Sequence, residues 1–253
     1  MRVDLISYTP DAARLLIFSK KTRLKMTPDA FQEVLEMPEE QVAEELKYVF
    51  GTIGSSWEFV DYVFLITGVS RAFTHQIVRH RIASFAQQAQ RVVDVSDGFE
   101  FISTGKCKED AGISTLYQSG MGDIRECYSR MVELGANVQD ARGILPTNIS
   151  TNILAKFNLR ALSGVMNERL CFKAQGEFQE VAREMRKKVL EVHPWTKPVL
   201  QVNCVQYGTC KFPNFKECPI RVKGLIKEFD AQAIEDEWER TSLEVQPKGE
   251  QWK

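Results

Sequence analysis

The sequence predicts a mixed α/β (α+β) domain in which short strands precede a series of helices. Two segments, 2–8 and 58–66, show the alternation of apolar and polar residues that is typical of β-strands. Most later apolar residues instead recur at helical spacing. Because strands and helices do not alternate regularly along the chain, the pattern favours a mixed domain over a parallel βαβ fold.

The first third of the chain contains two helix starts and one strand. Thr27–Asp29 combines a hydroxyl N-cap with a proline at the first helical position. Met37–Glu39 ends that helix and starts the next. Segment 58–66 then changes to a period of two, and Gly68 is predicted to end this strand. Ser70 can cap a helix that runs to about Arg81.

The middle of the chain predicts helices almost throughout. Residues 84–91 are polar and weakly helical, and 112–134 read as one long helix. A break at Leu145-Pro146 is followed by a helix from Asn148 to about Leu170. Another helix is predicted over 177–192.

The composition is that of an ordinary globular protein. The chain has 253 residues, with 33 Lys and Arg against 34 Asp and Glu and 43% apolar residues. These values exclude a disordered chain, a collagen-like repeat and a generally basic nucleic-acid coat. Apolar runs such as 62–66 are far shorter than the roughly 20 residues of a membrane span. With no signal pattern at the N-terminus, we expect a cytoplasmic protein without a membrane partner.

Six cysteines are spread along the chain, and only Cys204, Cys210 and Cys218 lie near one another in sequence. Six are too few for a disulfide scaffold in a chain of this length. A structural zinc site usually contains a close C-x2-C pair, and no such pair occurs here. We therefore expect structural or incidental cysteines and no metal, with a metal site as the open alternative.

One basic segment is a candidate binding site. Arg79, His80 and Arg81 are consecutive at a predicted helix end, and Arg91 follows. A helix spreads three consecutive side chains over roughly 200°, so they suit a helix end where ligand groups converge. Concentrated arginines favour an anion, and guanidinium groups pair well with phosphate. The like charges beside His80 favour its neutral form. A solvated basic helix end is the alternative.

Two later segments add polar candidates. Arg142 lies in DARGILP, and Asn158 and Arg160 precede Arg169 on the predicted helix from 148 to 170. Asn158 and Arg160 are two positions apart, so they cannot share one helix face. Polar groups on several sides of an apolar helix suggest that it runs between ligands or subunits. Ordinary surface arginines remain the alternative.

These segments resemble the flavin-dependent thymidylate synthases. GVSRAFTHQIVRHRIASFAQQAQR (68–91) is similar to the family signature, in which Arg-His-Arg is followed after seven residues by Ser. The supporting matches are Ser55, Glu58, DARGILP (140–146), NLR (158–160) and ERLCFKAQGE (168–177). The resemblance covers about residues 1–220 as a catalytic domain, and we expect 221–253 to form a C-terminal helix and a polar tail.

The resemblance implies an enzyme that assembles as a homotetramer with active sites between subunits. Its reaction is the reductive C5 methylation of dUMP to dTMP. The carbon donor is 5,10-methylenetetrahydrofolate, and FAD reduced by NADPH supplies the hydride. Two alternatives stay open: a relative that methylates or hydroxymethylates UMP or dCMP, and a non-catalytic protein that binds flavin or nucleotide. Nucleic-acid binding is the weakest reading, because the chain has no extended basic stripe.

The resemblance also implies roles for individual residues. Those expected at the flavin are Ser55, Glu58, Arg79, His80, Arg81, Gln87, Asn158, Arg160 and Gly164. Those expected at the nucleotide are Gln76, Arg79, Gln87, Gln88, Ala89, Gln90, Arg91, Arg142 and Arg169. Arg169 is the implied catalytic residue, because a fixed cation at the uracil ring stabilises negative charge that develops there. This chemistry requires no cysteine nucleophile.

The chain departs from the family pattern at several small polar and aromatic positions. The departing residues are Ile53, Phe59, Ala86, Ala89, Val92 and Gly176. Ala89 stands at the signature Ser position, so a nucleophilic serine there is excluded. The arginines expected to face the phosphate are all present. We therefore expect flavin and nucleotide binding, while the pyrimidine and the product stay open.

Overall fold

A computed structural model shows helices packed against a four-stranded sheet, in agreement with the predicted mixed α/β class. The structure describes residues 1–20, 26–52, 54–91, 93, 95–96, 98–223 and 230–244. Ile53, Val92 and the predicted tail after Glu244 lie outside these ranges.

The sheet of the described chain is antiparallel, with the strand order β1-β2-β4-β3. Its strands are β1 (Arg2–Tyr8), β2 (Asp61–Ser70), β3 (Ala83–Gln87) and β4 (Ser150–Asn158). β1 is an edge strand, as predicted. The predicted apolar face of β2 is confirmed, because Tyr62, Phe64 and Ile66 are completely buried.

Helices surround the sheet, and the described ones follow this order. They are α1 (Ala12–Lys20), α2 (Pro28–Leu35), α3 (Glu39–Phe50), α4 (Arg71–Ile77), α5 (Lys106–Glu109), α6 (Ala111–Glu133), α7 (Val138–Ala141), α8 (Leu159–Arg169), α9 (Gly176–Val192), α10 (Asn203–Tyr207), α11 (Pro219–Val222) and α12 (Ala231–Glu244). Short 3₁₀ helices cover Gly54–Phe59, Arg142–Ile144 and Pro194–Val199.

Several predicted helix starts are confirmed by their caps. The Thr27 hydroxyl accepts a hydrogen bond from the Ala30 amide, at 3.2 Å, and Pro28 is the first residue of α2. The Ser70 hydroxyl caps α4 by accepting from the Phe73 amide. The long helix predicted from 112 is α6, and the helix predicted from 177 is α9. Local capping chemistry was therefore a reliable signal.

The boundaries of β2 were predicted incorrectly. Glu58 and Phe59 belong to a 3₁₀ helix, and the strand continues past Gly68 to Ser70. Gly68 has a φ of +64° and lies where the pairing with β4 shifts register. A glycine adopts this left-handed conformation without strain, so it forms a bulge within the strand and does not end it.

Two segments predicted to be helical are strands. β3 replaces part of the weak helix predicted over 84–91, and β4 replaces the first half of the helix predicted from Asn148 to Leu170. In β4, Ile153, Ala155 and Phe157 are buried, while the residues between them face solvent. Pairing with β2 on one side and β3 on the other fixes this period of two.

The core continues from the sheet into the C-terminal part of the chain. Phe178 in α9 is completely buried, as is Ile234 in α12. The Trp238 indole lies in the same core and donates a hydrogen bond to the Leu170 carbonyl, at 2.8 Å. α12 therefore packs directly behind the end of α8.

Candidate active site

Each central strand runs directly into a helix that carries candidate residues. Ser70 ends β2 and caps α4, whereas Asn158 ends β4 and caps α8 by accepting from the Ala161 amide at 2.8 Å. β2 and β4 are antiparallel, with Asp61 opposite Asn158. The two helices therefore begin at opposite ends of the sheet, and the candidate residues fall into two groups.

The first group contains several residues expected at the flavin. The Arg160 guanidinium and the Glu58 carboxylate form an ion pair at 2.6 Å, and both side chains are about half exposed. Ser55 lies in the same 3₁₀ helix as Glu58. Gly164 is exposed one turn after Arg160, and a Cβ placed there would meet no atom within 4 Å. The surface beside Gly164 in α8 is therefore open.

The Arg-His-Arg segment does not lie on a helix, which corrects the predicted helix to Arg81. α4 ends at Ile77, and the segment forms a turn before β3. The Arg79 amide donates to the Gln76 carbonyl, and the His80 amide donates to the Ile77 carbonyl, both at 3.1 Å. Arg79 and Arg81 are exposed while His80 is half-buried, so the turn itself separates the three side chains.

His80 has the electrostatic character predicted from sequence, but for a different reason. Burial lowers its pKa, and the nearby charge of Arg169 lowers that pKa further, while Glu168 acts in the opposite direction. The like charge therefore comes from Arg169 and not from the adjacent arginines. His80 Nε2 is buried and has no hydrogen-bond partner among the described residues. A neutral imidazole with an unused ring nitrogen can contact a bound ligand.

A second group surrounds the start of α4 and contains a residue that the sequence analysis missed. Arg71, the first residue of α4, donates to the Gln88 carbonyl at 3.3 Å. Burial and the nearby charge of Arg142 both lower the pKa of Arg71. The signal was available in the sequence, because a cation in the first turn of a helix is unfavourable unless an anion lies nearby.

Amide side chains hold the second group in place. Gln76 Nε2 donates to Gln175 Oε1 at 3.1 Å, and Gln87 Nε2 donates to the Thr74 hydroxyl at 2.8 Å. Gln88 shares a 3.3 Å hydrogen bond with Asn152. No hydrogen bond or ion pair in the described part of the chain connects the side chains of Ala89, Gln90 and Arg91 to the other candidates.

Arg169, the implied catalytic residue, is the last residue of α8 and is half-buried. Burial lowers its pKa, and Glu168 only partly opposes this effect. Its Nε is buried without a hydrogen-bond partner among the described residues. Its guanidinium carbon lies 4.5 Å from the centroid of the Phe178 ring, which makes Arg169 a cation on an aromatic face.

A buried carboxylate joins α9 to the start of α4. Glu177, only 5% exposed, accepts a hydrogen bond from the Ser70 amide at 2.6 Å and another from the Ser70 hydroxyl. The same hydroxyl oxygen caps α4. Glu177 therefore fixes the helix that carries Arg71 and Gln76 relative to the helix that carries Phe178.

Most candidate arginines have no carboxylate partner. Within the described ranges, no Asp or Glu oxygen forms an ion pair with the six arginines Arg71, Arg79, Arg81, Arg91, Arg142 and Arg169. Elsewhere, exposed arginines such as Arg2 and Arg130 are paired. Guanidinium groups without a carboxylate partner create a positive potential that attracts anionic ligands.

None of the six cysteines belongs to either group of candidate residues. The six cysteines form no disulfide, and burial raises the pKa of Cys204 to about 12. Among the residues that the structure describes, no group of three or more His, Cys, Asp or Glu side chains is placed to hold a metal ion. None of the described helices combines the length and the apolar character that a membrane span requires.

Comparisons with known proteins give matches over most of the chain. The sequence profile of the family described as "Thymidylate synthase complementing protein" matches residues 4–195. The chain is 32% identical over 222 residues to the flavin-dependent thymidylate synthase of Pyrococcus furiosus. The aligned region covers 83% of this chain and 89% of the relative. The flavin-dependent thymidylate synthase of Nitratidesulfovibrio vulgaris is 33% identical, over 83% of this chain and 90% of the relative's length. The relative in Clostridium tetani is 28% identical over the same shares.

Proposed function

Because the chain belongs to the flavin-dependent thymidylate synthase family of enzymes, we propose that it methylates dUMP at C5 to give dTMP. The carbon donor in this proposal is 5,10-methylenetetrahydrofolate, and NADPH is the reductant. The observation that carries the proposal is the set of arginines without carboxylate partners around α4 and the end of α8. These cations suit a nucleotide phosphate and a pyrimidine ring that becomes negatively charged.

The flavin group of residues fits FAD. Ser55, Asn158 and the Arg160–Glu58 pair supply hydrogen-bonding groups beside the open surface at Gly164. His80 Nε2 is a buried ring nitrogen without a partner in the described chain, as expected for a group that meets a ligand. The remaining residues proposed to hold FAD are Arg79, Arg81 and Gln87. Bound FAD supplies the hydride for the reduction.

The second group of residues fits dUMP. Arg71 and Arg142 are near each other and are proposed to bind the phosphate together with Arg91. Gln76 and the segment Gln87–Arg91, which includes Ala89, line the same pocket in this proposal. Arg79 lies in the turn between α4 and β3, and we propose that it contacts both ligands.

Arg169 has the electrostatic role in this proposal. Its charge is partly removed from water and is not neutralised by a described carboxylate. A cation in such a setting stabilises negative charge on the pyrimidine more strongly than a solvated one does. Its guanidinium N–H groups can donate to a uracil oxygen, and no proton has to leave the side chain.

Replacement of Arg71 by Ala tests the phosphate assignment. We expect KM for dUMP to rise about tenfold with little change in kcat, because phosphate binding is the same in the ground and transition states. Steady-state kinetics at saturating folate measure both values. Arg2→Ala, a change at an exposed arginine of β1, is the control and should keep the wild-type KM. An unchanged KM in Arg71→Ala contradicts the assignment.

We also propose that the protein is a homotetramer with active sites between subunits. Phe59 and Ile82, which are 62% and 69% exposed, are apolar and flank the candidate residues. A second chain that covers them would remove this apolar surface from water. Light scattering of the purified protein tests the proposal. A particle of four chains is expected, and a monomer at the assay concentration contradicts it.

An anaerobic assay of the purified protein with dUMP, UMP and dCMP tests the proposed reaction. The products are identified by mass after incubation with FAD, NADPH and 5,10-methylenetetrahydrofolate. Formation of dTMP is expected, and it should depend on the folate.

A further inference from the structure

The Phe178 ring contacts two of the candidate residues, Arg169 and His80. It is completely buried in α9, one residue after Glu177. The Arg169 guanidinium carbon is 4.5 Å from the centroid of its ring. The His80 ring lies perpendicular to it at a centroid distance of 6.1 Å, and the Phe73 ring packs on it at 4.9 Å with an interplanar angle of 84°. One aromatic ring therefore contacts a residue expected at the flavin and a residue expected at the uracil.

The ring holds the guanidinium without using its donors. A carboxylate partner would accept the N–H groups of Arg169 and would reduce its positive charge. An aromatic face instead attracts the cation through the quadrupole of the ring and leaves the in-plane N–H groups available. This agrees with the absence of a described ion pair at Arg169 and with its unpartnered Nε.

The ring is itself fixed on several sides. Phe73 in α4 packs against it, and the buried Glu177–Ser70 contact ties the start of α9 to the start of α4. Trp238 holds the other side of the Arg169 segment by donating to the Leu170 carbonyl. A ring in a rigid position can define where the Arg169 charge lies.

We propose that Phe178 is a positioning residue that orients the Arg169 guanidinium toward the pyrimidine through a cation–π contact. This inference rests on the proposed function, because it takes Arg169 to act at the uracil ring. The contact with Arg169 is electrostatic, so it depends on the electron density of the ring and not only on its volume. That property separates a positioning role from ordinary core packing.

Fluorinated phenylalanines at position 178 provide the test. Mono-, di- and trifluorinated rings keep nearly the same shape but weaken cation–π attraction in steps. We expect kcat for dTMP formation to fall with each added fluorine, to about one tenth of the wild-type value in the trifluorinated protein. The same series at Phe64, a completely buried phenylalanine of β2 away from the candidate residues, is the matched control. It should leave kcat unchanged.

Binding of dUMP provides a readout that does not depend on turnover. Calorimetry of the FAD-loaded protein should show a dUMP Kd that rises along the series at position 178 but not at position 64.

Two outcomes would overturn the inference. One is a trifluorinated Phe178 protein with wild-type kcat and wild-type dUMP affinity. The other is an equal loss in the Phe64 series, which would show a general effect of core fluorination. The wild-type protein is assayed first, so a failure of the proposed function is recognised separately. In that case the wild type itself forms no dTMP.

Discussion

Replacement of Arg169 by Ala is expected to lower kcat for dTMP formation by about 10²–10³-fold, the usual cost of removing a preorganised group that stabilises transition-state charge. Arg169 is half-buried, lies over the Phe178 ring and has no described carboxylate partner. Its charge is therefore available to the substrate. The variant should retain the visible absorbance of bound FAD, because the residues proposed to hold FAD are unchanged.

The control for Arg169→Ala is Arg183→Ala. Arg183 in α9 is also half-buried, and burial also lowers its pKa, but it lies outside both groups of candidate residues. Single-turnover measurements at saturating dUMP separate the chemical step from binding. Arg169→Lys keeps the charge but loses the planar guanidinium group with its paired N–H donors. It should therefore retain only part of the wild-type activity. Equal kcat values for Arg169→Ala and the wild type would contradict the role given to Arg169.

Replacement of Glu177 by Ala is expected to destabilise the protein by about 2–3 kcal/mol, since it leaves the Ser70 amide and hydroxyl without an acceptor in the core. For a chain of this size the melting temperature should fall by about 4–12 °C. Activity should fall as well, because the Glu177–Ser70 contact fixes α4, which carries Arg71 and Gln76. Calorimetry measures the stability, and kinetics below the melting transition measure the activity.

Glu180→Ala is the control for this prediction. Glu180 lies on the same helix but is exposed, so its removal should leave the melting temperature nearly unchanged. Ser70→Ala removes the hydroxyl but keeps the amide, and it should cost less than Glu177→Ala. Equal melting temperatures for Glu177→Ala and Glu180→Ala would show that the buried carboxylate does not hold the two helices together.

Elements with a signal inside their own residues could be predicted from the sequence. The caps at Thr27 and Ser70 act within three residues of the chain, so the starts of α2 and α4 were correct. The long apolar periodicity of α6 was also sufficient. The end of α4 could not be predicted from its own residues. The chain turns at Val78 to enter β3, and the position of β3 is set by its pairing in the sheet.

The strands β3 and β4 depend on partners that are distant in sequence. β3 contains two alanines and no β-branched residue, and its strand conformation comes from pairing with β4, with Ala83 opposite Phe157. In β4, Ile153, Leu154 and Phe157 satisfy helical spacing, whereas Ile153, Ala155 and Phe157 satisfy alternation. Pairing on both sides decided between the two patterns, which is why β-propensity is weak evidence in isolation.

The same distinction applies to the candidate site. The arginines were found because a concentration of charge is visible in the sequence. Arg71 was missed although its place in the first turn of α4 is unusual for a cation, because its proximity to Arg142, which is distant in sequence, appears only in the fold. Phe178 was missed because an aromatic residue on a helix normally indicates only core packing. Its contact with Arg169 becomes visible only when α8 and α9 are placed together.

The most direct test of the central claim is the anaerobic assay with mass detection of the nucleotide product. The purified protein is scanned for flavin absorbance and is then incubated with NADPH, 5,10-methylenetetrahydrofolate and dUMP, UMP or dCMP in separate reactions. We expect a flavin spectrum and the mass gain of one methyl group on dUMP alone. Absence of a flavin after FAD is added, or product only from UMP or dCMP, would contradict it.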